Sequence, residues 1–212
     1  MFLRLTLITL CFALPCMAMA AEPIEIGDRL ELFLDNHVID EIAGGAKLHL
    51  HKPVPKEVVL VTDQPWEGNT SAYYTIFQDG DLYRMYYRGC HYDVKTKKTA
   101  HPEVACYAES TDGIHWTKPE LGIVEFEGSK ANSVVWIGQG SHNFTPFKDT
   151  NPKCAADARY KALGGGRGGL IAFKSADGVH WQTMGDAPVI TKGAFDSQNL
   201  AFWDTGRGCY VD

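Results

Sequence analysis

Three stretches of this 212-residue chain place polar groups just ahead of runs that read as β-strands. The first, Asp63-Gln64-Pro65-Trp66-Glu67-Gly68-Asn69, sets the carboxylate of Glu67 beside the indole of Trp66, a flat face suited to stacking on a ring. The second, Gly140-Ser141-His142-Asn143, has no acid, but His142 and Asn143 can bond hydroxyl groups. The third, Ala194-Phe195-Asp196-Ser197-Gln198-Asn199, carries Asp196. Two carboxyl groups flanking one scissile bond can serve as general acid and as base or nucleophile. Glu67 and Asp196 are therefore the candidate catalytic residues. Trp66, His142, Asn143 and Arg88 are the candidate substrate contacts, with His91 beside Arg88 on the same rim. Each also has a plainer reading, as a loop carboxylate, a packed indole or a core histidine. The second stretch leaves an acid missing; Asp35 is the nearest substitute upstream.

Other chemistries are poorly served. No Ser/His/Asp or Cys/His arrangement stands out for nucleophilic catalysis. Cys90, Cys106, Cys154 and Cys209 follow no zinc spacing, and no metal or cofactor is implied. Four cysteines allow three disulfide pairings, and buried free thiols are an equal reading for Cys106 and Cys209, which lie in strand-like runs. The glycine-rich stretch 164–169 lacks the Gly-Lys-Ser/Thr ending of a phosphate loop and precedes no helix. Asp79, Asp149 and Asp204 read as hairpin-turn residues.

The elements that must position the candidates repeat. Ser110-Thr111-Asp112-Gly113-Ile114-His115-Trp116 returns as Ser175-Ala176-Asp177-Gly178-Val179-His180-Trp181, each after an apolar run. Asp-Gly favours a tight turn with glycine at positive φ, and the Ser and Asp side chains can bond nearby backbone N–H groups. Ahead of each copy lie two further strand-like runs, Ala72–Phe77 and Leu82–Arg88 in the first unit, Phe144–Phe147 and Arg159–Leu163 in the second. Trp116 is expected to open a fourth strand. A third unit begins at Gln198–Trp203 and turns at Asp204–Gly208. Upstream, Leu30–Leu34, Val38–Ile39, Lys47–His51 and Val58–Val61 also read as short strands. Four-stranded antiparallel units at this period predict an all-β propeller, with blade 1 over about 60–125, blade 2 over about 133–192 and blade 3 starting at about 196.

The Ser-x-Asp-Gly-x-His-Trp turn after an apolar strand, with the opening Tyr73 to Arg88, resembles the blades of five-bladed β-propeller glycoside hydrolases, those of families 43, 32, 68, 117 and 130. The likeness covers roughly residues 60–212 and is nearest to secreted bacterial family 43-like and 32-like proteins. It departs from the sialidase Asp-box, since glycine here follows aspartate directly. The resemblance implies that catalytic acids stand where the inner strands of the first three blades meet a central pocket, the positions of Glu67 and Asp196. It implies an exported glycoside hydrolase acting on O-glycosidic bonds of an oligo- or polysaccharide. A non-catalytic carbohydrate-binding propeller, or an inactive truncated fragment, is the alternative, because the second stretch has no acid.

Composition argues against a nucleic-acid partner. The net charge is −6 and the pI about 5.7, with no basic stripe. Arg4, the apolar run Leu5–Leu14 and Ala18-Met19-Ala20 form a secretory signal with cleavage expected after Ala20; Cys16 is the weaker case for a lipid-anchored start. No later run reaches the length of a membrane span. The mature chain, 21–212, is then a partial propeller of two to two and a half blades, secreted or periplasmic. Because Asp212 falls within a strand-like run, the chain is expected to be the N-terminal part of a longer protein.

Overall fold

A computed structural model describes residues 22–27 and 29–212. The signal segment falls on residues 1–20 and lies outside the described residues. The chain divides into two compact units, Met1–Pro55 and Lys56–Asp212.

The described part of the first unit contains turns and extended chain but no strand. The strands expected at Leu30–Leu34, Val38–Ile39 and Lys47–His51 are not formed. Extended segments become strands only when their backbone groups find a ladder partner, and none is present here. Leu30 and Leu50 are accordingly 101% and 92% exposed. Asp35 closes a local turn, accepting the His37 N–H at 2.8 Å. In the second unit Val58–Val61 is likewise extended but unpaired.

The second unit is all-β apart from single 3₁₀ turns at Ser141–Asn143 and Ala156–Ala158. Its first sheet comprises β1 (Ala72–Asp79), β2 (Leu82–Gly89), β5 (Val104–Ser110) and β6 (Val134–Ile137), antiparallel in the order β1-β2-β5-β6. A small hairpin, β3 (Tyr92–Asp93) and β4 (Lys98–Thr99), projects between β2 and β5. The second sheet has β7 (Thr145–Lys148), β8 (Tyr160–Gly166), β9 (Gly169–Ser175) and β10 (Gln182–Thr183) in sequence order. A last hairpin pairs β11 (Phe202–Asp204) with β12 (Cys209–Val211). None of these sheets closes on itself. Among the described residues no helix is long and apolar enough to cross a membrane.

The centre of the first sheet is buried on both faces, which explains why β5 reads as a continuous apolar run. Side chains alternate along a strand. Tyr86, Ala105 and Tyr107 face one core with Phe173 of β9 and with Phe144 and Trp181, which immediately precede β7 and β10. Met85, Tyr87, Cys106 and Ala108 face the other, with Phe126 and Val134. Each fully buried large side chain contributes about 1.5–3 kcal/mol. All four cysteines of the described region are free thiols.

The fourth strand of the first sheet is not where Trp116 predicts it. Thr117 makes one bridge to Glu109, in the register that Gln182 takes against Lys174 in the second sheet. The chain then leaves the edge and returns only at β6, where Trp136 pairs with Ala105. In the second sheet the corresponding return is immediate, with Ile190 bridging Leu170.

Candidate functional site

The antiparallel register brings the start of β1, the end of β2 and the start of β5 to one edge of the first sheet. Ala72 pairs with Arg88, and Gly89 pairs with Val104. The 3₁₀ turn leading into β7 reaches the same edge, so Tyr73, Arg88, Glu103 and His142 converge. Arg88 sends Nη2 to the Thr70 carbonyl at 3.0 Å. Its Nη1 lies 3.3 and 3.4 Å from the two ring nitrogens of His142 and 3.7 Å from Glu103. Near-equal distances to both nitrogens place the guanidinium nitrogen over the imidazole rather than in line with one lone pair. Glu103 takes His142 Nδ1 at 2.9 Å, while Nε2 has Arg88 alone in reach among the described residues. The Tyr73 ring completes the cluster, 4.8 Å from the Arg88 guanidinium carbon and 5.4 Å from the His142 ring centre.

Tyr73 is held in an uncommon backbone state. Its φ is +58°, at a register break in the β1–β2 ladder between Ala72 and Thr75. Left-handed geometry at a bulky residue costs about 1–3 kcal/mol and concentrates at functional positions, as bulges do. The bulge also turns Tyr73 toward Arg88, out of simple strand alternation.

Asn143, beside His142, is buried to 2% exposure. Its Oδ1 accepts the Gly165 N–H at 2.6 Å and its Nδ2 donates to the Ser197 carbonyl at 2.6 Å. Its amide is committed to the fold, so it clamps rather than binds. A Cβ on Gly165 would lie 3.0 Å from Asn143 Oδ1, and one on Gly164 would lie 2.8 Å from Gly140 Cα. The glycine-rich stretch is thus the β8–β9 hairpin, with little space beside β8 where the 140–143 segment crosses it. The clamped loop presents Asp196, whose exposed carboxylate, among the described residues, accepts only the next backbone N–H, Ser197, at 2.8 Å. Ser197 has φ +66°, and Gln198 ties the loop to β1 through Thr75 Oγ1 at 3.0 Å.

Glu67 and Trp66 are elsewhere, and this corrects their expected placement. Glu67 is fully buried. It accepts the Tyr87 hydroxyl, the Lys118 ammonium at 2.8 Å and the Gln64 N–H at 2.8 Å. Lys118 also bonds the Val61 carbonyl at 2.6 Å and Asp63 at 3.1 Å. Breaking a buried pair of this kind costs about 3–5 kcal/mol, so the carboxylate anchors the 61–71 segment. Trp66 packs on the second core and borders a cleft with Pro65, Phe126 and Asn132. Its backbone carbonyl crosses β2 so closely that a Cβ on Gly89 would lie 2.1 Å away.

Of the residues expected at the site, the structure brings Arg88, His142 and Asn143 together and attaches the Asp196 loop to them. Glu103 and Tyr73 were missed. The signal for Glu103 was weak, an acid one residue ahead of an apolar run. Tyr73 was hidden inside a strand-like segment. Asp79 stands at the β1–β2 hairpin, as expected, and also joins the two sheets, bonding Arg84 at 2.7 Å, Lys148 at 2.5 Å and Tyr160 at 2.5 Å. Burial opposes its charge, but these three donors prevail and lower its pKa to about 2.

No protein-family model matches the chain. It is 26% identical over 116 residues to an uncharacterized protein of Mycobacterium tuberculosis, covering 54% of this chain and 34% of that protein. It also aligns with the crystal structure of a glycosyl hydrolase from Bacteroides ovatus at 20% identity and a TM-score of 0.37. That alignment covers 64% of this chain and 39% of the other. The chain thus spans about a third of the length of the curated relative it matches.

Proposed function

We propose that this chain belongs to a β-propeller protein that acts on carbohydrate, its two sheets being successive blades, and that the whole protein cleaves O-glycosidic bonds. The observation that carries the reading is the convergence of Tyr73, Arg88, Glu103 and His142 at one end of adjacent first strands, with the Asp196 loop clamped beside them by Asn143. Tyr73, strained at its bulge, takes the stacking role first given to Trp66. Arg88 and His142 Nε2 bond sugar hydroxyls. Asp196, with a free oxygen, is the acid or base, and Glu103 replaces Glu67 as the second carboxylate. The protein works outside the cytoplasm after loss of its N-terminal signal.

One observation favours a second reading, a carbohydrate-binding propeller without hydrolysis. Glu103 is already engaged by His142 and Arg88, which leaves Asp196 as the one uncommitted carboxylate of the set. Saturation-transfer NMR and product analysis on one oligosaccharide panel separate the two. Binding that Tyr73→Ala abolishes, together with cleavage, supports hydrolysis. Binding that Tyr73→Ala abolishes, with every glycan left intact, supports the second reading. Binding indifferent to both Tyr73→Ala and Arg88→Met removes the site altogether.

A further inference from the structure

A thiol and an amine meet away from that site. Cys154 lies in the connection between β7 and β8, and its Sγ is 3.3 Å from the Nζ of Lys161 on β8. Both are held in place by the same carbonyl, Ala158 O, at 3.1 Å from Sγ and 3.0 Å from Nζ. The Asp149 carboxylate, fully enclosed, bonds the same ammonium and fixes it beside the thiol. The thiol is partly exposed, so a small oxidant can reach it. Tyr210 of β12 closes the cluster, its hydroxyl 2.7 Å from Asp149 and its ring centre 5.5 Å from Lys161 Nζ.

The geometry points to a peroxide-driven covalent clasp, a sulfenamide between Cys154 and Lys161. Hydrogen peroxide is the oxidant. It converts the thiol to sulfenic acid and is itself reduced to water. The Lys161 ammonium gives up a proton to water, and the freed lone pair attacks sulfur. The S–N bond forms as the S–O bond breaks, and the departing hydroxide leaves as water. Overall, one thiol, one amine and one peroxide give one sulfenamide and two waters. The product removes the cation that Asp149 and the Tyr210 ring now share, so the redox state is coupled to the seat of the β11–β12 hairpin. A thiol reductant reverses it.

The test is mass spectrometry of the intact protein after graded hydrogen peroxide, digested with trypsin without reductant. The expected product joins Cys154–Arg159 to Tyr160–Arg167, with cleavage after Lys161 blocked. It is about 2 Da lighter than the two peptides together and is released by dithiothreitol. Lys161→Arg keeps a cation for Asp149 and should leave Cys154 as sulfenic acid, open to dimedone. Dimedone labelling of Cys154 in the unsubstituted protein with no joined peptide overturns the proposal. So does a joined product about 14 Da heavier, which retains oxygen in the bridge.

Discussion

The two copies of the Ser-x-Asp-Gly-x-His-Trp turn are the same inside and different outside. In each, the serine Oγ accepts the glycine N–H at 2.9 Å. The aspartate Oδ1 accepts the N–H groups of the next residue but one and of the histidine, at 2.8–2.9 Å. The other aspartate oxygen takes histidine Nδ1, at 2.6 Å in the first copy and 2.7 Å in the second. The tryptophan Nε1 donates to the glycine carbonyl at 3.1 and 2.9 Å. Seven residues thus encode one local shape without help from the rest of the chain. Their surroundings do not match. The second turn docks on the first sheet, where Tyr86 OH donates to Gly178 O at 2.7 Å and Trp181 meets Tyr86 and Phe144 edge-on. At the first turn a Cβ on Gly113 would meet Tyr83 at an ordinary 3.8 Å, and Trp116, partly exposed, packs on the margin of the second core. Local sequence makes the turn, and the neighbouring sheet decides how much stability it carries.

Paired substitutions can break that comparison. The largest difference is expected at the tryptophans. Trp181→Ala opens a hole between the sheets and should cost about 4 kcal/mol, against about 2 kcal/mol for the partly buried Trp116→Ala, read from urea unfolding midpoints. Equal costs would show that docking adds nothing. Next is the Asp79 junction, which depends on the second sheet lying against the first. Asp79→Asn should cost about 3 kcal/mol at neutral pH. Because the folded pKa is near 2 and the unfolded value about 3.9, this stability is present above about pH 4 and is lost as pH falls toward 2. The variant's acid limb should therefore flatten over that window.

Smaller effects separate the glycines. Both Gly113 and Gly178 have positive φ, +75° and +84°, so alanine strains either turn by about 1 kcal/mol. At Gly178 a Cβ would also lie 3.0 Å from Arg84 Nη1 and Tyr86 OH. Gly178→Ala should lower the melting temperature by roughly twice as much as Gly113→Ala, as calorimetry would record. The smallest effect is on titration. The Asp112 hydrogen bond raises the pKa of His115, and the His115 side chain in turn holds Asp112 below the usual carboxylate range. A raised histidine stabilises below its unfolded pKa, about 6.5, and that contribution fades as pH rises through the folded value. In Asp112→Asn the NMR titration of His115 should move down toward about 6.5.

The same contrast explains what could be read from the sequence. The turn, the hairpin of β1 and β2 and the apolar run of β5 are local patterns, legible in the sequence. The loop that carries Asp196 is legible because it lies just ahead of a recognisable run. Glu67 was placed wrongly because its partner, Lys118, is 51 positions away on the excursion that only the first sheet has. The same excursion hid β6, since nothing near Trp116 shows that the chain leaves the edge and returns at Val134. Leu30–Leu34 was overread because apolar content alone does not supply a ladder partner. Tyr73 and Glu103 acquire meaning only when the register of β1, β2 and β5 sets them beside His142.

The proposed division of labour gives chemistry to the strand-end cluster and a structural role to Glu67. Cleavage of an oligosaccharide panel by the protein, Asp196→Asn and Glu67→Gln, with melting temperatures recorded alongside, tests it most directly. The account predicts that Asp196→Asn loses about 10²–10⁴-fold in turnover at an unchanged melting temperature. Glu67→Gln should melt several degrees lower and keep its turnover while folded. The reverse pattern, with Glu67→Gln inactive at an unchanged melting temperature and Asp196→Asn fully active, would contradict it.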